Sequence, residues 1–347
     1  MDIDGSMGEG GGQLLRTALT LAMCTGAPLR LRHIRARRAR PGLRAQHLAA
    51  VHAAAAICGA RVSGATLASG ELEFVPGAVR PGQYDIDVGT AGSTLLVLQT
   101  ILLPLSFCGA SSAVVLRGGT HNPLAPTFEF VRDAWLPLIE QVGFRARLTL
   151  ERHGFEPHGG GVIRASIEPH RPWRALELLE RGPVRRCSVQ VLLSRLPEDI
   201  ARREVATLRE RLALPEESCR IESVTASGPG NALHVRVDCA HLTTVFAAFG
   251  RRGVPAETVA GRAAEEVRRY LDADVALDRH LADQLLLPLA LAAGGRFSTL
   301  SPSGHTTTNA AVIGLFLPAA YEAREIGPGR WALALRPSGG GVQSVAR

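Results

Sequence analysis

The chain has 347 residues, 46% of them hydrophobic and 20% charged, which is enough for a large core or two domains and excludes low-complexity disorder. The net charge of +7 suits an anionic partner such as nucleic acid or nucleotide phosphates. All 39 basic residues are arginine, which excludes Schiff-base chemistry, lysyl-adenylate chemistry and a Walker A loop, because each needs a lysine amine.

In chain order, the N-terminus MDIDGSMGEGGG is acidic and glycine-rich, unlike a secretion signal. A short strand is expected there, then Gly8-Glu9-Gly10-Gly11-Gly12-Gln13, then a Leu-rich helix within Gly11–Pro28. Glycines let a backbone approach a ligand, and a helix start offers free N–H groups to phosphate. Glu9 is suited to a divalent cation bridging phosphates, with Arg16 one helical turn inside. The plainer reading is a glycine-rich turn with a solvated glutamate. Next comes HIRARRARPGLRAQH, residues 33–47, dense in arginine with almost no acid nearby. That pattern suits bidentate phosphate contacts. Its Pro-Gly, and the Gln46 and His47 that open a helix from Ala45, argue against a merely solvated basic face.

Strands are expected at ELEFVP, YDIDVG and SAVVLRGG. The uncharged run Val88–Leu116 contains Gly89, Gly92, Gln99, Pro104 and Gly109. It reads as a buried helix followed by a buried strand rather than a membrane span. A helix TFEFVRDAWLPLIEQVG starts at Thr127, and strands RARLTLER and VIRASIEP flank the candidate turn Arg152-His153-Gly154-Phe155-Glu156-Pro157-His158-Gly159-Gly160-Gly161. The glycines there point to close backbone approach, or to a tight turn at a domain junction.

From about 180 to 276 the texture is richer in Arg and Glu. This stretch predicts a strand at Cys187–Leu193, a helix at Glu198–Leu212, strands at Ser218–Thr225 and Ala232–Cys239, and a helix at Pro255–Asp272. A third Leu-rich helix pattern, after those at Gly11–Pro28 and Ala91–Ala110, follows at Leu281–Gly295. The segment Ser301–Asn309 then leads into a helix from His305, and RWALALRP reads as a final strand. A histidine at a helix start among small polar residues can act as base, metal ligand or nucleophile, although a lone histidine is more often structural. The six cysteines form no C-x-x-C pair and read as reduced and mostly buried.

Leu-rich helices start near 12, 93 and 282, each followed by a second helix and short strands. The steps are about 80 and about 190 residues, and the excess of about 100 is a domain's worth. The expected fold is α/β, with three repeated two-helix plus β-sheet units forming a large domain over 1–180 and 276–347. A smaller α/β domain, 181–275, is inserted between the second and third units.

Taken together and in order, GEGGGQLLR, RARPGLRAQH, RHGFEPHGGG, HLADQLLLP and SGHTTTN resemble the RNA 3′-terminal phosphate cyclase family across essentially the whole chain. The resemblance implies that ATP activates an RNA 3′-phosphate. A histidine attacks the α-phosphate to give histidyl-AMP, AMP passes to the RNA end, and the 2′-hydroxyl closes a 2′,3′-cyclic phosphate. It places the nucleophile on His305 and the contact to Mg2+ or Mn2+ on Glu9. The phosphate-contacting residues fall on Arg16, Arg38, Gln46 and His47. The ATP contacts fall on Gln99, Pro126, His280, Leu281, Ala282, Asp283 and Gln284. His280 departs from the family, which carries a larger aromatic at that position to pack on adenine. Either Arg40 or Arg44 meets the RNA end. The implied partners are RNA 3′-phosphate ends and ATP, with no membrane; a homodimer is left open, and the expected location is cytoplasmic. Two alternatives compete. One is a non-catalytic RNA-binding or ribosome-assembly factor on the same fold, which His305 and Glu9 disfavour. The other is an enolpyruvyl transferase, whose usual six units do not match three plus an insert.

Overall fold

The structure is a computed structural model that describes residues 1–337. It is a mixed α/β protein with four four-stranded sheets among the described residues. The first group of elements is β1 (Asp2–Asp4), α1 (Gly12–Thr25), β2 (Leu29–Arg32), α2 (Ala45–Cys58), β3 (Arg61–Ser63) and β4 (Leu72–Val75). Its sheet runs β1-β2-β4-β3, with β1 parallel to β2 and the other pairs antiparallel. The second group begins with β5 (Gln83–Asp87), α3 (Thr94–Ser106) and β6 (Ser112–Gly118). It continues through α4 (Phe128–Phe130), a π-helical turn (Val131–Trp135) and α5 (Leu136–Val142) to β7 (Arg145–Arg152) and β8 (Gly161–Glu168). Its sheet runs β5-β6-β8-β7. The helix expected from Thr127 is therefore present, but Val131–Trp135 winds more loosely than an α-helix.

The strand β9 (Leu176–Leu178) precedes a different sheet. That sheet is built from β10 (Val184–Ser194), α6 (Glu198–Leu212), β11 (Cys219–Ser223), β12 (Gly230–Cys239), β13 (Thr243–Phe249) and α7 (Ala256–Ala273), in the order β11-β10-β12-β13. Then come α8 (Arg279–Leu291), β14 (Gly295–Thr299), α9 (Gly304–Phe316), β15 (Ala319–Gly327) and β16 (Arg330–Pro337). Strand β9 now finds its partner. It lies parallel to β14, and the sheet runs β9-β14-β16-β15, the order already seen twice.

Local chemistry explains the helices. The α3 sequence TLLVLQTILLPLS is apolar almost all round, and most of it is buried; its start is capped by the Ser93 hydroxyl, which accepts from the Leu96 N–H. The α6 helix is the opposite case. Only Ala201, Glu204 and Leu208 are buried, and its acidic first turn and arginine-rich last turn complement the helix dipole. Two hydrophobic clusters follow from this patterning. One gathers α1, α2, α3, α5 and α8 with the three like-ordered sheets. A separate one, including Val191, Leu233, Val235, Val267 and Tyr270, lies within residues 184–275. A small cluster of Phe155, Leu192, Ala226 and Ala232 sits between them.

No helix among the described residues is long and apolar enough to cross a membrane. The run Val88–Leu116 contains the buried helix α3 and reaches into β6. All six cysteines are unpaired, but only Cys58 and Cys239 are buried, fewer than the composition suggests.

Candidate active site

The turn after β1 and the starts of α1, α2 and α9 converge on His305. Ser303 caps α9, accepting from the Thr306 N–H at 3.0 Å, and this sets His305 in the helix's first turn with a half-exposed ring. Its Nδ1 lies 2.8 Å from Gln13 Oε1 and 3.5 Å from Glu9 Oε2. An amide oxygen only accepts, so Nδ1 carries the hydrogen and the Nε2 lone pair is free.

Glu9 is fixed from several sides. Its backbone N–H donates to Thr308 Oγ1 at 2.9 Å, which ties the glycine turn to α9. The Arg38 guanidinium pairs with Glu9 Oε1 and donates to the Glu9 carbonyl at 3.1 Å. The second carboxylate oxygen, Oε2, is buried and has no hydrogen-bond partner among the described residues. Gly12 has no room for a side chain: a Cβ there would lie 2.3 Å from His47 Nε2 and 3.0 Å from Arg16 Nη1. His47 Nδ1 accepts from the Arg44 N–H at 3.0 Å, so its Nε2–H points to the Gly12 and Arg16 side. Burial, with Arg16, Arg35 and Arg44 nearby, pushes His47 down to about 3, and it is a neutral donor at working pH. Burial pushes Arg16 down to about 10, which leaves it charged at neutral pH. Gln46 is half-buried, with its Cβ against Gly92 at the entrance to α3.

Helix α8 sits behind this group. The buried Asp283 accepts from Ser303 Oγ at 2.9 Å and from Thr306 Oγ1, and Asn309 Nδ2 donates to its carbonyl at 3.1 Å. Burial pushes the Asp283 carboxyl up, while the hydroxyls of Thr306 and Ser303 oppose that shift. Gln284 Oε1 accepts from Gln99 Nε2 at 2.6 Å, joining α8 to α3. The side chains of Leu281 and Ala282 lie in the core. His280 is exposed, with its Nε2 accepting from Arg279 at 3.3 Å. Pro126 is half-buried in the turn before α4.

The arginine loop divides in two. Arg35 turns inward and donates to the carbonyls of Arg40 and Gly42 at 2.7 and 3.0 Å, so it shapes the loop. Arg37 and Arg40 are exposed and Arg44 is half-buried. Gln13 and Asn309 join the site without having been singled out in the sequence. Gln13 lay inside the glycine motif, and Asn309, which accepts from Thr17 Oγ1 at 2.7 Å, closed the SGHTTTN stretch. The glycine-rich turn after β7 lies elsewhere, at the junction of two sheets: a Cβ on Gly230 of β12 would sit 2.1 Å from the Phe155 ring. Beside it lie His121, Glu129 and His234, all buried. Burial pushes His234 down to about 4; burial alone would raise Glu129, but the two imidazoles facing it hold it below the usual carboxylate range.

A family profile described as RNA 3′-terminal phosphate cyclase matches residues 7–323. Relatives of that name include proteins from Salmonella agona (47% identical over 327 residues, covering 93% of this chain and 95% of that one) and Koribacter versatilis (49% over 324 residues, 93% and 91%). A third, from Ralstonia nicotianae, is 49% identical over 319 residues, 92% of each chain. Among solved structures, the enolpyruvyl transferase NikO from Streptomyces tendae matches with a TM-score of 0.27 and 19% identity, over 48% of this chain and 33% of that one. The near full-length match to the curated relatives shows that this chain belongs to the RNA 3′-terminal phosphate cyclase family.

Proposed function

We propose that this chain uses ATP to convert RNA 3′-phosphate ends to 2′,3′-cyclic phosphates through a covalent histidyl-AMP on His305. One observation carries the reading: Gln13 holds His305 Nδ1 at 2.8 Å and leaves Nε2 free as a nucleophile. In the first step Nε2 bonds to the α-phosphorus, and the bond to the β-phosphate oxygen breaks to release pyrophosphate. In the second, an oxygen of the RNA 3′-phosphate takes AMP from Nε2. In the third, the 2′-hydroxyl attacks the activated phosphorus, loses its proton and displaces AMP.

Arg16, Arg38 and the start of α1 oppose the phosphate charge, with His47 as a neutral donor and Gln46 beside it. The unpartnered Glu9 Oε2 fits as the protein's oxygen ligand to Mg2+ or Mn2+. Such an ion, when bound, neutralises phosphate charge. Gln99, Gln284 and the exposed His280 are assigned to the nucleotide base, with Pro126, and Asp283 positions α8 against the cap of α9. Arg40 or Arg44 of the arginine loop meets the RNA end. The strand order common to three sheets supports three repeated units in a large domain over 1–180 and 276–347. The separate core of residues 184–275 supports a small inserted domain at 181–275. The cytoplasm is the compartment this chemistry suits.

The test is incubation with α-labelled ATP and Mg2+ or Mn2+, followed by denaturing electrophoresis. The parent chain retains label that is lost in acid and kept in base, as for a phosphoramidate; His305→Ala retains none. Capture of label by His305→Ala would overturn the assignment.

A further inference from the structure

His121, Glu129 and His234 come from three separate elements: the loop after β6, α4, and β12. His121 Nε2 lies 2.9 Å, and His234 Nε2 3.2 Å, from the same oxygen of Glu129, Oε2. All the candidate ligand atoms fall within 4.8 Å of one another. A four-coordinate zinc ion with bonds of about 2.0–2.1 Å sets its ligand atoms about 3.3–3.4 Å apart. The two nitrogen–oxygen separations lie within about half an ångström of that edge, so small side-chain shifts admit the ion.

Hydrogen bonding does not complete this group. His234 is 2% exposed, and neither of its ring nitrogens has a hydrogen-bond partner among the described residues. Leaving such buried groups unpaired is costly, and a metal bond to Nε2 removes part of that penalty. His121, by contrast, is supported from behind. Its Nδ1 is 2.7 Å from Thr120 Oγ1, which also accepts from the Gly154 N–H at 3.0 Å. Fixing the far nitrogen in this way sets the ring for metal binding through Nε2. His153 stacks on His121 with ring centroids 5.3 Å apart and Phe155 lies at 5.4 Å, which walls the group.

We propose that His121 Nε2, His234 Nε2 and Glu129 Oε2 bind one transition-metal dication, Zn2+ by preference, fastening the sheet of residues 184–249 to the second sheet's helix. Imidazole donors select such an ion over Mg2+ or Ca2+, which take oxygen ligands. Three protein ligands leave one position for water. The site shares no residue with the His305 group, and its occupancy is independent of the reading given there.

The experiment titrates the full chain, stripped with a chelator, with Co2+ as a visible-absorbing stand-in, then with Zn2+. One equivalent of Co2+ binds with the strong visible bands of a four-coordinate ion; Zn2+ displaces it and excess Mg2+ does not. His234→Asn and Glu129→Gln each weaken binding about a hundredfold or more, while Glu9→Ala leaves it unchanged. At a hundredfold excess over its dissociation constant, Zn2+ raises the parent's unfolding midpoint by roughly 3 °C. Failure of the parent to bind either ion stoichiometrically overturns the proposal and leaves a buried cluster in which only His121 and Glu129 are hydrogen-bonded. Binding that survives both substitutions, or vanishes in Glu9→Ala, overturns it too. The parent's own titration suffices if a variant does not fold.

Discussion

Gln13 sets which nitrogen of His305 keeps its lone pair. By accepting from Nδ1–H at 2.8 Å it selects one tautomer of a half-exposed ring. A hydrogen bond of this kind is worth about 1 kcal/mol, or about fivefold in rate. Gln13→Ala is therefore expected to slow single-turnover capture of label about five- to tenfold and to leave ATP affinity within about twofold. A matching loss of affinity would make Gln13 a nucleotide contact instead. His47 shows the complementary choice: the Arg44 N–H occupies Nδ1, so the hydrogen sits on the nitrogen facing Gly12 and Arg16. The residue types were legible in the sequence, and their meeting was not. Gln13 and His305 are 292 positions apart, and nothing in either motif says that one orients the other.

Among elements, the start of α1 is the most crowded. An alanine at Gly12 would put its methyl group 2.3 Å from His47 Nε2 and 3.0 Å from Arg16 Nη1. The His47 ring is not free to swing aside, because it is buried and held by α2. Gly12→Ala should cut label capture at least about tenfold while circular dichroism stays that of the parent. Gly109→Ala, at a turn where a Cβ meets nothing within 4 Å, serves as the neutral control. Full capture by Gly12→Ala would mean that His47 and Arg16 need not stand where they do. Helices were the readable elements because period and cap agree: α6 spans Glu198–Leu212 as the pattern requires, and Ser93, Asp278 and Ser303 mark three starts. Strand β9 is three residues long, too short for a period-2 signal, and β13, TTVFAAF, does not alternate cleanly. Both exist because a partner strand is present, and a local pattern does not report its partner.

At the scale of the molecule, three sheets share one order but not one closure distance. In the parallel pairs, Asp2 faces Arg30, 28 residues on, and Gln83 faces Ala113, 30 on. Leu176 faces Gly295, 119 residues on. Closing the longer loop as a flexible chain costs about 1 kcal/mol more. The intervening residues have their own core, which includes Val235 and Tyr270, and a core that folded first would draw β9 and β14 together. An order of folding is expected from that geometry. On a ribosome the first two sheets can close as they emerge, while β9 stays an unpaired strand until the sheet behind it has formed. Val235→Ala, which weakens that core by about 2 kcal/mol, should then delay protection of the amides in β9 and β14 during refolding. Val114 and Leu116 of β6 should keep their rate, as read by pulsed hydrogen exchange. Equal timing in the two sheets would show that the third closes without waiting for its neighbour. Otherwise a defect within residues 184–275 also harms the enzyme remotely, because the sheet that carries α9 and His305 at its edge is the last to be made.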